Sequence, residues 1–182
     1  MSLRVLDCTL RDGGYYNNWD FAPAVVRHYI EAVAAAGIDS VEIGFRFFTK
    51  DRFLGAHAYT TDAYLETLNL PASVEWGVMC NAADLVGYAD GPAAAIDCLF
   101  QAASDSPIDL VRVAAHMTET AACEPAIRRL KALGYRVGFN LMQISEYDDA
   151  TIRDAAHGGT PLNWAEHMGS EQAARLLRAR LT

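Results

Sequence analysis

The sequence has no apolar run near the ~20 residues needed to span a bilayer, and its opening, Met1-Ser2-Leu3-Arg4, has no signal-peptide core. Basic charge is scarce: Lys+Arg number 15 against 23 Asp+Glu, for a net charge of −8. No Lys/Arg cluster is present to neutralise phosphates, which excludes an ordinary nucleic-acid binder. Cys8, Cys80, Cys98 and Cys123 form no C-x-x-C pair. They read as reduced thiols packed inside a cytoplasmic protein. A G-x-x-x-x-G-K-[ST] phosphate loop, a G-x-G-x-x-G after the first strand and a G-x-S-x-G elbow are all missing. No H-x-H occurs either. Two such histidines on one strand would share a face and could complete a metal site beside an aspartate. With no Pro/Ser-rich linker or charge run to divide it, residues 1–182 read as one domain.

What is present is globular. Hydrophobic residues make up 52 % and charged residues 21 % of the 182, which excludes disorder. A chain of this size normally buries about 70 % of its unfolded surface. Apolar strand-forming runs over residues 4–10, 40–45, 73–80, 109–115 and 136–144, with a weaker one over 161–166, alternate with helical patterns. Pro23 suits a first helical residue, Val26, Ile30 and Val33 follow at helical spacing, and Gly37 suits the left-handed exit. Pro125, Ile127, Leu130 and Gly134 repeat that grammar. Further helices are expected over residues 60–69, from Asn81-x-x-Asp84 with a longer piece over 92–103, from Ser145 to about 156, and over 170–181. The segments AVAAAGIDSVEIGF and LKALGYRVGFNLMQI each run from a helix end through a glycine into a strand lacking clean alternation. Such strands are covered on both faces in parallel sheets. The expectation is an α/β, TIM-barrel-type fold in incomplete form, about six βα units where a full barrel of about 250 residues has eight. An open barrel exposes strand edges, so self-association or poor solubility is expected.

In parallel α/β folds ligands bind at the carboxyl ends of strands. That rule selects Arg11, Asp12, Gly13, Gly14, Tyr15 and Tyr16 after the first strand, Glu42 and Arg46 with the second, His116 after the fourth, and Asn140 and Gln143 late in the fifth. An Asp there can ligate a hard divalent cation, and an Arg can stabilise charge developing on an oxygen. The glycines permit positive φ and close approach of a substrate. A solvated ion pair at the mouth is the competing explanation. Glu42 lies between Val41 and Ile43 and needs a buried partner, for which Arg11 is the natural candidate. Whether that pair is structural or functional stays open on the residues alone. His28, His57 and His157 receive no role.

Leu6-Asp7-Cys8-Thr9-Leu10-Arg11-Asp12-Gly13-Gly14 resembles the opening of the pyruvate carboxyltransferase-like (DRE-TIM) metallolyases. Val41-Glu42-Ile43-Gly44 supports the resemblance, and Val111–Glu119 is similar to the fourth strand of 4-hydroxy-2-oxovalerate aldolases. The resemblance implies a metal-dependent carbon–carbon lyase that cleaves a 2-oxoacid through a pyruvate enolate, with Mg²⁺ or Mn²⁺ as cofactor. It implies Asp12 as a metal ligand, Arg11 as the group stabilising the enolate and Glu42 as the acid that orients Arg11. Tyr15 stands where the aldolases carry a histidine, and with His116 it completes the candidate catalytic set. An acyl-CoA-dependent 2-oxoacid synthase and a binding module without turnover are the rival expectations. The expected partners are a small 2-oxoacid and a second copy of the chain.

Overall fold

The computed structural model describes residues 3–148. The sheet is built from β1 (Leu6–Asp7), β2 (Ser40–Phe45), β3 (Glu75–Asn81), β4 (Leu110–Ala115) and β5 (Arg136–Leu141). All neighbouring strands run parallel, in the order of the chain, and the sheet curls into a half-barrel consistent with an incomplete TIM-barrel-like domain. The helices are α1 (Thr9–Asn17), α2 (Pro23–Ala35), α3 (Ala56–Tyr59), α4 (Asp62–Leu65), α5 (Ala82–Val86), α6 (Pro92–Leu99) and α7 (Glu124–Ala132). The expected elements over 161–166 and 170–181 lie outside the described residues, as does most of the helix expected from Ser145. Residues Ile144–Glu146 form one 3-10 turn. Among the described residues, no helix is long and apolar enough to cross a membrane.

The two faces of the sheet differ in chemistry. One face bears Val41, Ile43, Val78, Cys80, Val111 and Val113, which pack with Val26, Ile30 and Val33 of α2, Ala95 and Ile96 of α6, and Ile127 and Leu130 of α7. Each of the larger side chains contributes about 1.5–3 kcal/mol by leaving water, so this layer supplies most of the driving force. Pro23 does stand in the first turn of α2, and Gly37 (φ +69°) and Gly134 (φ +94°) provide the left-handed exits of α2 and α7. The other face carries charge. Glu42 pairs with Gly77, then Gly44 with Val78, so β2 has one extra residue there. This bulge brings Glu42 and Phe45 to the same side of the strand, beside Arg11.

The first strand is shorter than expected. It stops at Asp7, and residues 9–17 are helical, including both glycines of the Arg-Asp-Gly-Gly run. Gly13 and Gly14 therefore do not serve a positive-φ turn; the left-handed residues are Asn18 and Trp19 (φ 57° each), which end α1. Gly14 is needed for packing, because a Cβ there would lie 1.9 Å from Cδ1 of Trp19. Of the helix expected over 60–69 only the single turn of α4 forms, and α3 is a separate turn before that span. Asn81 precedes α5 without a side-chain cap bond, and Asp84 pairs with Lys50 at 3.0 Å instead.

Among the described residues β1 and β5 are the two ends of the sheet, and Leu3, Val5 and Leu6 at the first edge are exposed. Parallel edges of this kind are templates for pairing. Size-exclusion chromatography with light scattering is expected to show a dimer or larger species. A sharp monomer with a cooperative melt would contradict an edge-exposed half-barrel.

Candidate active site

Asp7 fixes the start of the site-bearing helix. Its Oδ1 accepts the Thr9 N–H (2.8 Å) and the Tyr29 hydroxyl (2.5 Å), and its Oδ2 accepts the Thr9 hydroxyl (3.1 Å). Burial alone would raise the Asp7 carboxyl, but the Tyr29 and Thr9 donors together hold it below its ordinary value. At the other end of α1 the Trp19 indole N–H donates to the carbonyl of Arg11 at 2.8 Å. Arg11 and Asp12 are thus held from both sides, just past the carboxyl end of β1.

Four charged side chains then alternate in sign. Arg112 Nη1, from the middle of β4, lies 3.3 Å from both Glu42 oxygens. Glu42 is fully buried, and its Oε2 lies 2.5 Å from Arg11 Nε. That second contact is ionic only, because the Arg11 Nε–H finds no hydrogen-bond acceptor. The far end of the Arg11 guanidinium turns to Asp12, with Nη1 2.9 Å from Oδ1 and Nη2 3.3 Å from Oδ2. The Asp12 side chain is 60 % exposed. The row therefore runs from half-buried Arg112, through fully buried Glu42 and then Arg11, to water at Asp12.

Burial pushes the Glu42 carboxyl up, against the pull of Arg112 and Arg11. Burial also works against the Arg11 charge, but Cys8, Glu42 and Asp12 outweigh it and raise the guanidinium further. Cys8 lies beside the row, 3.8 Å from Arg112 Nη1. Burial and the nearby Glu42 charge raise its thiol despite the two guanidinium groups, so the thiol form persists at neutral pH.

An aromatic wall adjoins the row. Phe45 lies with its ring centroid 5.7 Å from the Arg11 guanidinium carbon and stacks on Phe47 at 4.4 Å. Trp19 meets both rings edge-on. Tyr15, one turn beyond Arg11 on α1, packs edge-on to Trp19 at 4.8 Å and is 64 % exposed.

The other expected residues are less central. His116 follows β4 but is exposed, and its backbone N–H donates to Glu119. No described contact joins it to Arg11, Asp12 or Glu42. Arg46 is buried, donates to the Thr60 carbonyl and Asp62 at 2.6 Å each, and lies over the Phe100 ring at 4.8 Å. It braces the loop after β2. Gln143 lies past the end of β5 and donates to Glu146. Arg112 escaped the sequence reading, although an arginine inside an apolar strand raises the same question as Glu42 does.

Among the described residues, no group of three His, Cys, Asp or Glu side chains could hold a metal ion. Within the described charge row only Asp12 offers an exposed carboxylate, which is not a ligand set for a divalent cation. The charged groove of about 600 Å³ lined by Arg4, Asp39, Glu75 and Asp109 sits at the amino ends of the strands. That end of a parallel barrel is associated with stability. There Glu75 joins Arg4, Ser40 and Arg136.

Compared by sequence, the chain matches no protein-family model and no curated protein. Compared by structure, it is similar to a Bacteroides vulgatus crystal structure described as "the N-terminal domain of a putative aldolase". The TM-score is 0.67 and the identity 25 %, over 95 % of this chain and 60 % of that one. The chain therefore spans less than two thirds of that structure's length.

Replacing Glu42 tests the row energetically. Glu42→Gln leaves two guanidinium groups facing each other in a buried site and is expected to cost about 3–5 kcal/mol in urea unfolding. Glu124→Gln, which removes the exposed partner of Arg128, is expected to cost under about 1 kcal/mol. Equal effects would contradict a central role for Glu42.

Proposed function

We propose that the strand ends form a carbon–carbon lyase site of the aldolase kind, acting on a 4-hydroxy-2-oxoacid through a pyruvate enolate. The observation that carries this reading is Arg11: a guanidinium anchored by Nε on buried Glu42 whose Nη pair faces the exposed Asp12 at the strand ends. In the proposed reaction the bond between C3 and C4 of the substrate breaks. Its electron pair passes into the enolate of the pyruvate half, while the C4 hydroxyl loses its proton and becomes the aldehyde. Charge develops on the enolate oxygen, and a preorganised guanidinium in a partly dry mouth stabilises it more than water does. Protonation at C3 then releases pyruvate.

In this reading Glu42 orients Arg11, and Tyr15 takes the proton-transfer role from one turn further along α1. The aromatic wall of Phe45, Phe47 and Trp19 keeps water from one side of the reacting oxygen. The similarity to the Bacteroides vulgatus protein supports the aldolase class. The substrate and the residue roles are those that the sequence resemblance implies. Within the charge row Asp12 is the one exposed carboxylate, which favours a second reading, a binding domain that engages an oxoacid without turnover.

Incubating the full 182-residue chain with a 4-hydroxy-2-oxoacid, with and without added Mn²⁺, and coupling pyruvate release to lactate dehydrogenase separates the two. Turnover that falls ~10²–10³-fold in Arg11→Ala is the expected result. An unchanged rate in Arg11→Ala would overturn the site, and saturable oxoacid binding without pyruvate release would leave the binding-domain reading.

A further inference from the structure

The Arg11 geometry has an unusual feature. A guanidinium beside a buried carboxylate frequently presents two parallel N–H groups to it, yet Arg11 meets Glu42 in an ionic contact at Nε without a hydrogen bond and turns its Nη pair outward to Asp12. What makes this possible lies on β4, two strands away from Glu42 in the sheet. Arg112 Nη1 reaches both Glu42 oxygens at 3.3 Å, so the buried charge is already compensated from β4.

The fold makes room for that side chain. Arg112 pairs in register with Gly138 on β5, and a Cβ at Gly138 would lie 2.8 Å from Arg112 Cγ. Any side chain at position 138 would press on the stem of Arg112. A guanidinium in an apolar strand, aimed at a buried carboxylate and accommodated by a glycine on the neighbouring strand, is a costly arrangement for a surface already held by its apolar layer.

We propose that Arg112 is a positioning residue for Arg11: by serving as the second counter-charge of Glu42, it frees the Nη pair of Arg11 to face the strand-end mouth. Without it, Glu42 would draw the Arg11 fork inward into a two-bond pairing, and the Arg11–Asp12 contact would be lost. The inference rests on the lyase reading only for what Arg11 then does there.

The test compares Arg112→Met, Arg112→Gln and Arg112→Lys with the unaltered chain. The Arg11 side-chain N–H resonances are followed in ¹⁵N-edited NMR spectra and assigned by their absence in Arg11→Lys. Positioning predicts that the Arg11 Nε–H and Nη–H resonances move in the Met and Gln variants and return towards their original places in the Lys variant, which restores the charge. A purely structural Arg112 predicts lower melting temperatures in all three with Arg11 resonances unmoved, and that result would overturn the proposal. Should the Met variant fail to fold, the Gln and Lys pair carries the same comparison. An unaltered chain with no lyase turnover would end the aldolase reading and leave this comparison intact, whereas turnover with unmoved Arg11 resonances would end this inference alone.

Discussion

A carboxylate with no access to water, Glu42, is the constraint around which the concave side of this half-barrel is arranged. Removing such a group from solvent costs several kcal/mol unless charge and hydrogen bonds are returned to it. The chain meets that demand from two directions, with Arg112 from β4 and Arg11 from α1. Other features follow from it. The bulge in β2 aligns Glu42 with Phe45 on the inner side, Gly138 clears the stem of Arg112, and α1 must begin immediately after β1 for Arg11 to reach inward. The apolar layer beneath α2, α6 and α7 stabilises the sheet. The buried acid determines what the inner face presents.

Much of this was legible in the sequence, for identifiable reasons. A lone acid within Val41-Glu42-Ile43 cannot stay buried without a cation, and the nearest strand end supplied Arg11. The pair is formed as expected. The parallel order of five strands was likewise legible, because helix, glycine and apolar strand recur in the same grammar. The local form of the Arg-Asp-Gly-Gly run was not. Adjacent glycines suggest a turn, but the Asp7 acceptors and the Trp19 indole hold residues 9–17 as a helix. Those contacts depend on residues two to eight positions away and become visible only in three dimensions. Arg112 was overlooked because its partner lies 70 residues distant, and no local pattern records which face of β4 it occupies. His116 shows the reverse: a suggestive strand-end position that the turn at Met117–Glu119 leaves exposed and apart from the row.

Electrostatically, the row converts a buried charge into an exposed one. Arg112, Glu42, Arg11 and Asp12 alternate in sign, so each is compensated by its neighbours, and Asp12 is by far the most exposed of the four. A group held this way loses little reorganisation energy when an anionic oxygen approaches, which is the property a site for developing negative charge requires. The second ionic cluster, at the amino ends around Glu75, has the same components but lies on the opposite rim. Composition alone does not distinguish the two. Position relative to the strand direction does.

The most direct measurement of the account is a double-mutant cycle in urea unfolding between Glu42→Gln and Arg112→Met. If the buried acid and the β4 guanidinium compensate each other, the double variant is expected to be more stable than the two single losses summed, with a coupling of about 0.5–3 kcal/mol. Losses that add to within about 0.5 kcal/mol would show that Glu42 does not depend on Arg112, and the arrangement described here would not hold.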